Sequence, residues 1–152
     1  MRRSGRFLVG ALCALVAGCN ALLGFLSPNT LTIVLVNQSP SFRVDGTLVY
    51  AEDDLPRELL DQLGSKVDFD LGPGETQRLS RDCGSVHSIR VLDADLRVIA
   101  GVSPGTSSDV RSNGDDYNCG DQIIFTFSHS AALIDFRVTA TTQPGVVLLA
   151  TR

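Results

Sequence analysis

The sequence predicts an all-β domain: an antiparallel β-sandwich, immunoglobulin-like or similar, of about eight to nine strands with one short helix. Three observations predict it. From Thr30 onward, apolar residues recur mostly with period two, as in strands with one buried face. Clusters of Gly, Pro, Asn, Asp and Ser interrupt these runs at the short spacing of sandwiches and barrels. The 152 residues, 43% hydrophobic and 20% charged, suit one folded domain with a core and argue against a disordered chain.

The elements follow in order. Leu31, Ile33 and Leu35 fall on one face, and Asn37-Gln38-Ser39-Pro40 ends the run with turn residues. Phe42, Val44, Leu48 and Tyr50 share a face opposite Arg43, Asp45 and Thr47. Residues 54–64 break the pattern: Leu55, Leu59, Leu60 and Leu63 are spaced as one face of a two-turn helix. Pro56 and acidic residues open it, and Gly64 stands where a left-handed terminating residue belongs, so the four leucines are expected in the core. Val67, Phe69 and Leu71 alternate with Asp68 and Asp70 before the turn Gly72-Pro73-Gly74-Glu75, which opens a further strand. Residues 89–92 and 96–100 flank Asp93-Ala94-Asp95, which reads as a hairpin. Ile123, Phe125 and Phe127 alternate, Ser128-His129-Ser130 turns, and Ile134, Phe136, Val138 and Ala140 follow. Gln143-Pro144-Gly145 precedes a last strand over 146–151.

Ahead of this body stand Arg2, Arg3 and Arg6, then an apolar run over 7–17 that ends at Gly18-Cys19. A charged head, an apolar stretch and a small-residue boundary make an export signal, expected as a helix. Leu15-Val16-Ala17-Gly18-Cys19 resembles the lipobox of bacterial lipoprotein signals. That resemblance implies cleavage before Cys19 and a covalent lipid on its thiol. Residues 1–18 are then a lipoprotein signal peptide, 19–29 an apolar tether and 30–152 the sandwich. Two alternatives stay open. Residues 7–26, interrupted only by Asn20, are long enough for an uncleaved anchor, and ordinary cleavage would release a secreted domain. Arg2-Arg3 fits twin-arginine export poorly, because Gly5 stands where an aromatic residue is expected. All of these readings put the body outside the cytoplasm. Ten residues, 20–29, separate Cys19 from the first strand and reach roughly 35–40 Å at most. Asn20, not Asp, follows the cysteine, which by analogy with enteric lipoproteins favours the outer membrane.

Cys13 leaves with the signal and Cys19 takes the lipid, so Cys83 and Cys119 remain as a pair in an exported chain. A disulfide is expected, worth about 3–4 kcal/mol on the chain-entropy model. Zinc would need His87 and His129 as well, but no metal-ligand spacing supports it. Residues 101–121 are dense in turn formers, and loops this long are functional or disordered. Asp109, Asn113, Asp115, Asp116 and Asp121 supply oxygen ligands that could hold calcium, without an EF-hand register; Asn113-Gly114 is equally a turn.

Outside the three leading arginines the chain has ten basic against 17 acidic residues, a net −7 that lacks the footprint of a nucleic-acid binder. His87 and His129 are the only histidines, and neither lies near a nucleophile-elbow pattern. No metalloprotease, phosphate-loop or dinucleotide motif is present. The expectation is therefore a protein with no enzymatic activity and no cofactor beyond the lipid.

Residues 15–19, Leu71-Gly72-Pro73-Gly74-Glu75-Thr76 and Asp115-Asp116-Tyr117-Asn118-Cys119-Gly120-Asp121 together resemble small bacterial lipoproteins of unknown function. Such relatives have a lipidated N-terminal Cys, a short tether and a one-disulfide sandwich. They imply a cell-envelope location, a lipid anchor in the membrane and no particular activity. The functional expectation is a domain that binds an envelope protein or polymer through the 101–121 loop, or through strand edges. A calcium- or small-ligand-binding periplasmic module is the alternative, and a small hydrolase the third reading.

Overall fold

The computed structural model describes residues 29–98, 103–130 and 135–145. The expected signal peptide, Cys19, tether residues 20–28 and last strand over 146–151 lie outside the described residues.

Among the described residues, nine strands form two sheets packed face to face. The first sheet has the order β4-β1-β8-β9, from Thr76–Asp82, Thr30–Asn37, Gln122–Ser128 and Arg137–Gln143. The second has the order β3-β2-β5-β6, from Ser65–Leu71, Arg43–Ala51, Ser88–Arg97 and Gly105–Thr106, with the two-residue β7, Arg111–Ser112, also paired to β5. The alternation does what period two requires. Leu31, Ile33, Leu35, Ile123, Phe125 and Phe127 of one sheet meet Val44, Leu48, Phe69, Leu71, Ile89, Val91 and Leu96 of the other. The Phe69 and Phe127 rings lie 5.3 Å apart across the interface.

The sandwich departs from a purely antiparallel one at a single ladder, because β1 runs parallel to β8. A second departure concerns 88–97. Instead of a hairpin at Asp93-Ala94-Asp95, β5 is continuous, and β2 pairs along both its halves. Thr47 opposes Asp93 while Leu48 opposes Val91, so Leu92 is an extra, bulged residue. Inward-facing Ile89 and Val91 are thereby brought back into phase with inward-facing Ala94 and Leu96. The break in alternation that reads as a turn is the bulge correcting the phase.

Helix α1 spans Arg57–Leu63, shorter than the 54–64 expected, with Pro56 as its N-cap. Of its three leucines only Leu60 is buried; Leu59 is 43% and Leu63 71% exposed, against the expectation of a core face. Gly64 is not left-handed either, with φ −66° and ψ 153°. It is required for closeness: a Cβ there would lie 2.5 Å from Val49 Cγ2 and 2.6 Å from the Leu60 carbonyl oxygen.

The strands define two poles about 25 Å apart, at 3.3 Å per residue. At the entry pole, Cys83 N donates to Asn29 O (2.8 Å), Ala51 pairs with Ser88, and Gly145 N donates to Asp121 Oδ1 (3.1 Å). At the turn pole, buried Asn37 donates to the carbonyls of Phe42 (2.9 Å) and Gly72 (2.8 Å), and Gly74 N donates to Ser39 O (2.9 Å). Gly74, at φ +69°, makes the expected turn between β3 and β4.

Candidate functional site

Residues 103–121 run from the C-terminal end of β5, where Leu96 N donates to Pro104 O (3.1 Å), to the entry pole, and they are held along their length. Gly105–Thr106 pairs with Asp95 and Ala94, and Arg111–Ser112 with Ile89 and Ser88. Between them Ser108 is buried: its Oγ accepts from Val91 N (2.9 Å), and its own N donates to Val91 O (3.0 Å). Arg111 donates to Asp116 Oδ1 (2.8 Å) and to the Ala140 carbonyl (3.3 Å), joining the segment to β9 of the other sheet. Tyr117 is buried and donates its hydroxyl to the carbonyls of Val86 (3.1 Å) and His87 (3.2 Å); burial pushes its phenol well above the ordinary range. The Cys83–Cys119 disulfide, Cα atoms 5.6 Å apart, closes the segment onto the short 3-10 turn Cys83–Ser85. What reads as a loop is a clamped strap whose exposed residues include Ser103, Gly105, Asp109, Gly114, Asp115 and Asn118.

The five residues considered for calcium are not gathered into a site. Asp116 accepts from Arg111 and from Ser112 N (3.0 Å). Burial alone would raise its pKa, but the Ser112 N–H and the Arg111 guanidinium outweigh that and hold it below the usual carboxylate range. Asp121 is a turn acceptor, taking Asn118 N at 2.7 Å on one oxygen and Gly145 N on the other. Asn113 bridges to Tyr117 through the backbone, and Asp109 and Asp115 lie exposed. Among the described residues no three His, Cys, Asp or Glu side chains come together to hold a metal ion. Of these carboxylates, Asp116 and Asp121 do the work of turn formation.

One pair does adopt the geometry of nucleophilic catalysis, although no motif in the sequence joins its two residues. His129 and Ser39 are 90 residues apart, yet Nε2 lies 2.9 Å from Oγ, and Nδ1 lies 2.7 Å from the Ser130 carbonyl. A carbonyl only accepts, so Nδ1 carries the proton and Nε2 accepts from the Ser39 hydroxyl. That is the tautomer of a catalytic dyad. Two facts make the pair structural. Ser39 is 1% exposed, and its Oγ already accepts from Phe42 N (3.0 Å), so the oxygen faces the β1–β2 turn instead of a substrate. The Phe42 ring packs edge-on to the His129 imidazole at 5.7 Å. His87 is half-buried at the opposite pole, away from both.

The outer face of the second sheet is covered at one end and open at the other. Under α1, Arg90 is 1% exposed, and its Nη1 lies 3.0 and 2.9 Å from the two oxygens of Asp61. Beyond the bulge, a concavity of about 370 Å³ is lined by Asp45, Gly46, Thr47, Asp68, Phe69, Asp93, Ala94 and Asp95. Gly46 is required there, because a Cβ would stand 2.3 Å from the Asp93 carbonyl oxygen and 2.8 Å from Phe69 Cζ. Arg97 pairs with Asp45, and Arg43 with Asp70 at 2.7 Å. Asp68 accepts from the Thr47 hydroxyl (2.9 Å) and Asp93 from Thr47 N (3.1 Å). Buried Arg90 is the one feature of this face with a sequence signal: it stands inside the apolar run 89–92, where a charge needs a partner.

No family model matches the chain, and no curated protein matches it. Among solved structures it is similar to the T6SS lipoprotein TssJ1 from Pseudomonas aeruginosa. Identity is 14%, covering 78% of this chain and 99% of that one, at a TM-score of 0.45. It is also similar to a protein from Eubacterium rectale solved by NMR, at 20% identity, 73% and 87% coverage and a TM-score of 0.40. At TM-scores below 0.5 neither bears on function.

Proposed function

We propose that this chain is an exported protein of the bacterial cell envelope, held to the membrane by a lipid on Cys19, that works by binding a partner and not by catalysis. The signal-like residues 1–19 support the address, and a disulfide suits an oxidising compartment. Partner binding is carried by one observation: the strap 103–121 is preformed. Its backbone is fixed by β6, β7, Ser108, Tyr117 and the disulfide, so its exposed residues meet a partner with little ordering entropy left to lose. Loops fixed on a rigid scaffold are where binding residues concentrate. The partner is an envelope protein or polymer, and Asp109, Asp115 and Asn118 are the contact residues.

The test is cross-linking of the full-length chain in membranes of its own host. Wild type is expected to give a defined adduct that disappears in the Asp109→Ala, Asp115→Ala, Asn118→Ala triple variant while the unfolding midpoint stays put. An adduct that forms equally well with the triple variant would remove the strap from the interface.

A further inference from the structure

We infer that the entry pole of the domain rests on a zwitterionic lipid surface, with Leu59 and Leu63 of α1 as the apolar contacts. This builds on the reading of Cys19 as a lipid anchor. Leu59 and Leu63 are the exposed large hydrophobic residues among the described ones, one helical turn apart on the same side of α1. Nothing in the fold requires leucine there, because Leu60 alone buries the helix.

The helix is fixed at the pole where the tether arrives. Ahead of it, Ser88 Oγ accepts from Leu55 N (3.0 Å) and donates to Asp53 O (3.0 Å). Behind it, Ser65 pairs with Tyr50, the next-to-last residue of β2. Asn29, bonded to Cys83, begins the described chain at that same end. Between Asn29 and Cys19 the sequence has Ala21, Leu22, Leu23, Phe25 and Leu26, an apolar tether that keeps the pole within roughly 35 Å of the acyl chains. On so short a leash the pole meets the bilayer at high effective concentration, and a small apolar contact suffices.

Charge selects the lipid. Glu52, Asp53, Asp54 and Glu58 are exposed in and beside α1, against Arg57 and Lys66. An acidic rim is repelled by anionic headgroups, so the surface it fits is zwitterionic and the attraction is apolar.

The chain contains no Trp, which makes the test direct. Lipidated full-length Leu63→Trp, and separately Leu59→Trp, is placed in phosphatidylcholine vesicles with and without brominated acyl chains. The expected result is blue-shifted emission that brominated lipid quenches, with neither effect for Pro73→Trp at the turn pole. Solvent-like, unquenched emission from both leucine variants on chains that float with the vesicles would overturn the docking and leave the anchor standing. A concentration-dependent blue shift without vesicles would overturn it in favour of a second copy of the chain. Chains that lack acyl mass and do not float would defeat the anchor reading, and this inference with it.

Discussion

Asp61→Ala tests whether the Arg90–Asp61 pair is what fixes α1 to the sandwich. A seven-residue helix has no stability of its own in water, so its position depends on packing and on this pair. Arg90 is 1% exposed, and its Nε has no acceptor among the described residues. Burial lowers its pKa and Asp61 opposes the shift, but a guanidinium stays charged at any accessible pH. Removing Asp61 therefore strands a buried cation. Stranding one member of a fully buried pair costs about 3–5 kcal/mol. The Asp61 side chain is 28% exposed, so water already screens the pair and enters when it breaks; about 2–3 kcal/mol remains. With a urea m-value of about 2 kcal/mol/M, the unfolding midpoint falls by roughly 1–1.5 M. The double variant Arg90→Met, Asp61→Leu removes both charges and keeps apolar volume, and it is expected to recover most of that loss. A shift below roughly 0.3 M for Asp61→Ala would mean that water solvates Arg90 and the pair holds nothing. A double variant as unstable as the single would mean that Asp61 matters for something other than Arg90's charge.

Two further predictions concern the strap and the bulge. Gly46→Ala forces a methyl against the Asp93 carbonyl and the Phe69 ring, and an overpacking penalty of about 2–3 kcal/mol is expected in the same denaturation assay. Asp116 is held below its ordinary range by Ser112 N and Arg111, so its folded pKa lies under its unfolded one. Its stabilisation is then complete above about pH 4 and is lost as pH falls through the lower folded value. Wild type should lose stability between pH 5 and 2.5 more steeply than Asp116→Asn, and matching slopes would show the shift to be absent.

The alternation along β1, β2, β3 and β8 was legible because each strand buries one face, and burial writes itself into every second residue. Features that join distant segments leave no such local record. Leu92 interrupts the period by one residue, and a bulge and a hairpin interrupt it alike; only β2 pairing along both halves of β5 separates the two. The α1 leucines misled for a related reason. Helical spacing shows that they share a side, but a helix laid on the outside of a sheet has only one line of contact, which Leu60 takes. Gly64 does end the helix, but the constraint on it is the approach of Val49 and not the sign of φ.

The same distinction between type and use runs through the candidate site. Asp116 and Asp121 have the oxygens of calcium ligands, and Ser39 with His129 has the atoms of a dyad, yet in each case backbone N–H groups occupy the oxygens first. A sandwich with turns at both poles generates N–H groups that no ladder partner satisfies, and short polar side chains are what satisfies them. Ser39 serves the 38–42 turn in this way, and Asp116 and Asp121 serve the strap. The exposed residues spared such duty are then the informative ones: Asp109, Asp115 and Asn118 on the strap, and Leu59 and Leu63 on α1. Asp115, Asn118 and the leucine pair all belong to the pole where Asn29 enters. With the chain anchored at Cys19 as proposed, a partner bound to the far end of the strap would be met close to the membrane.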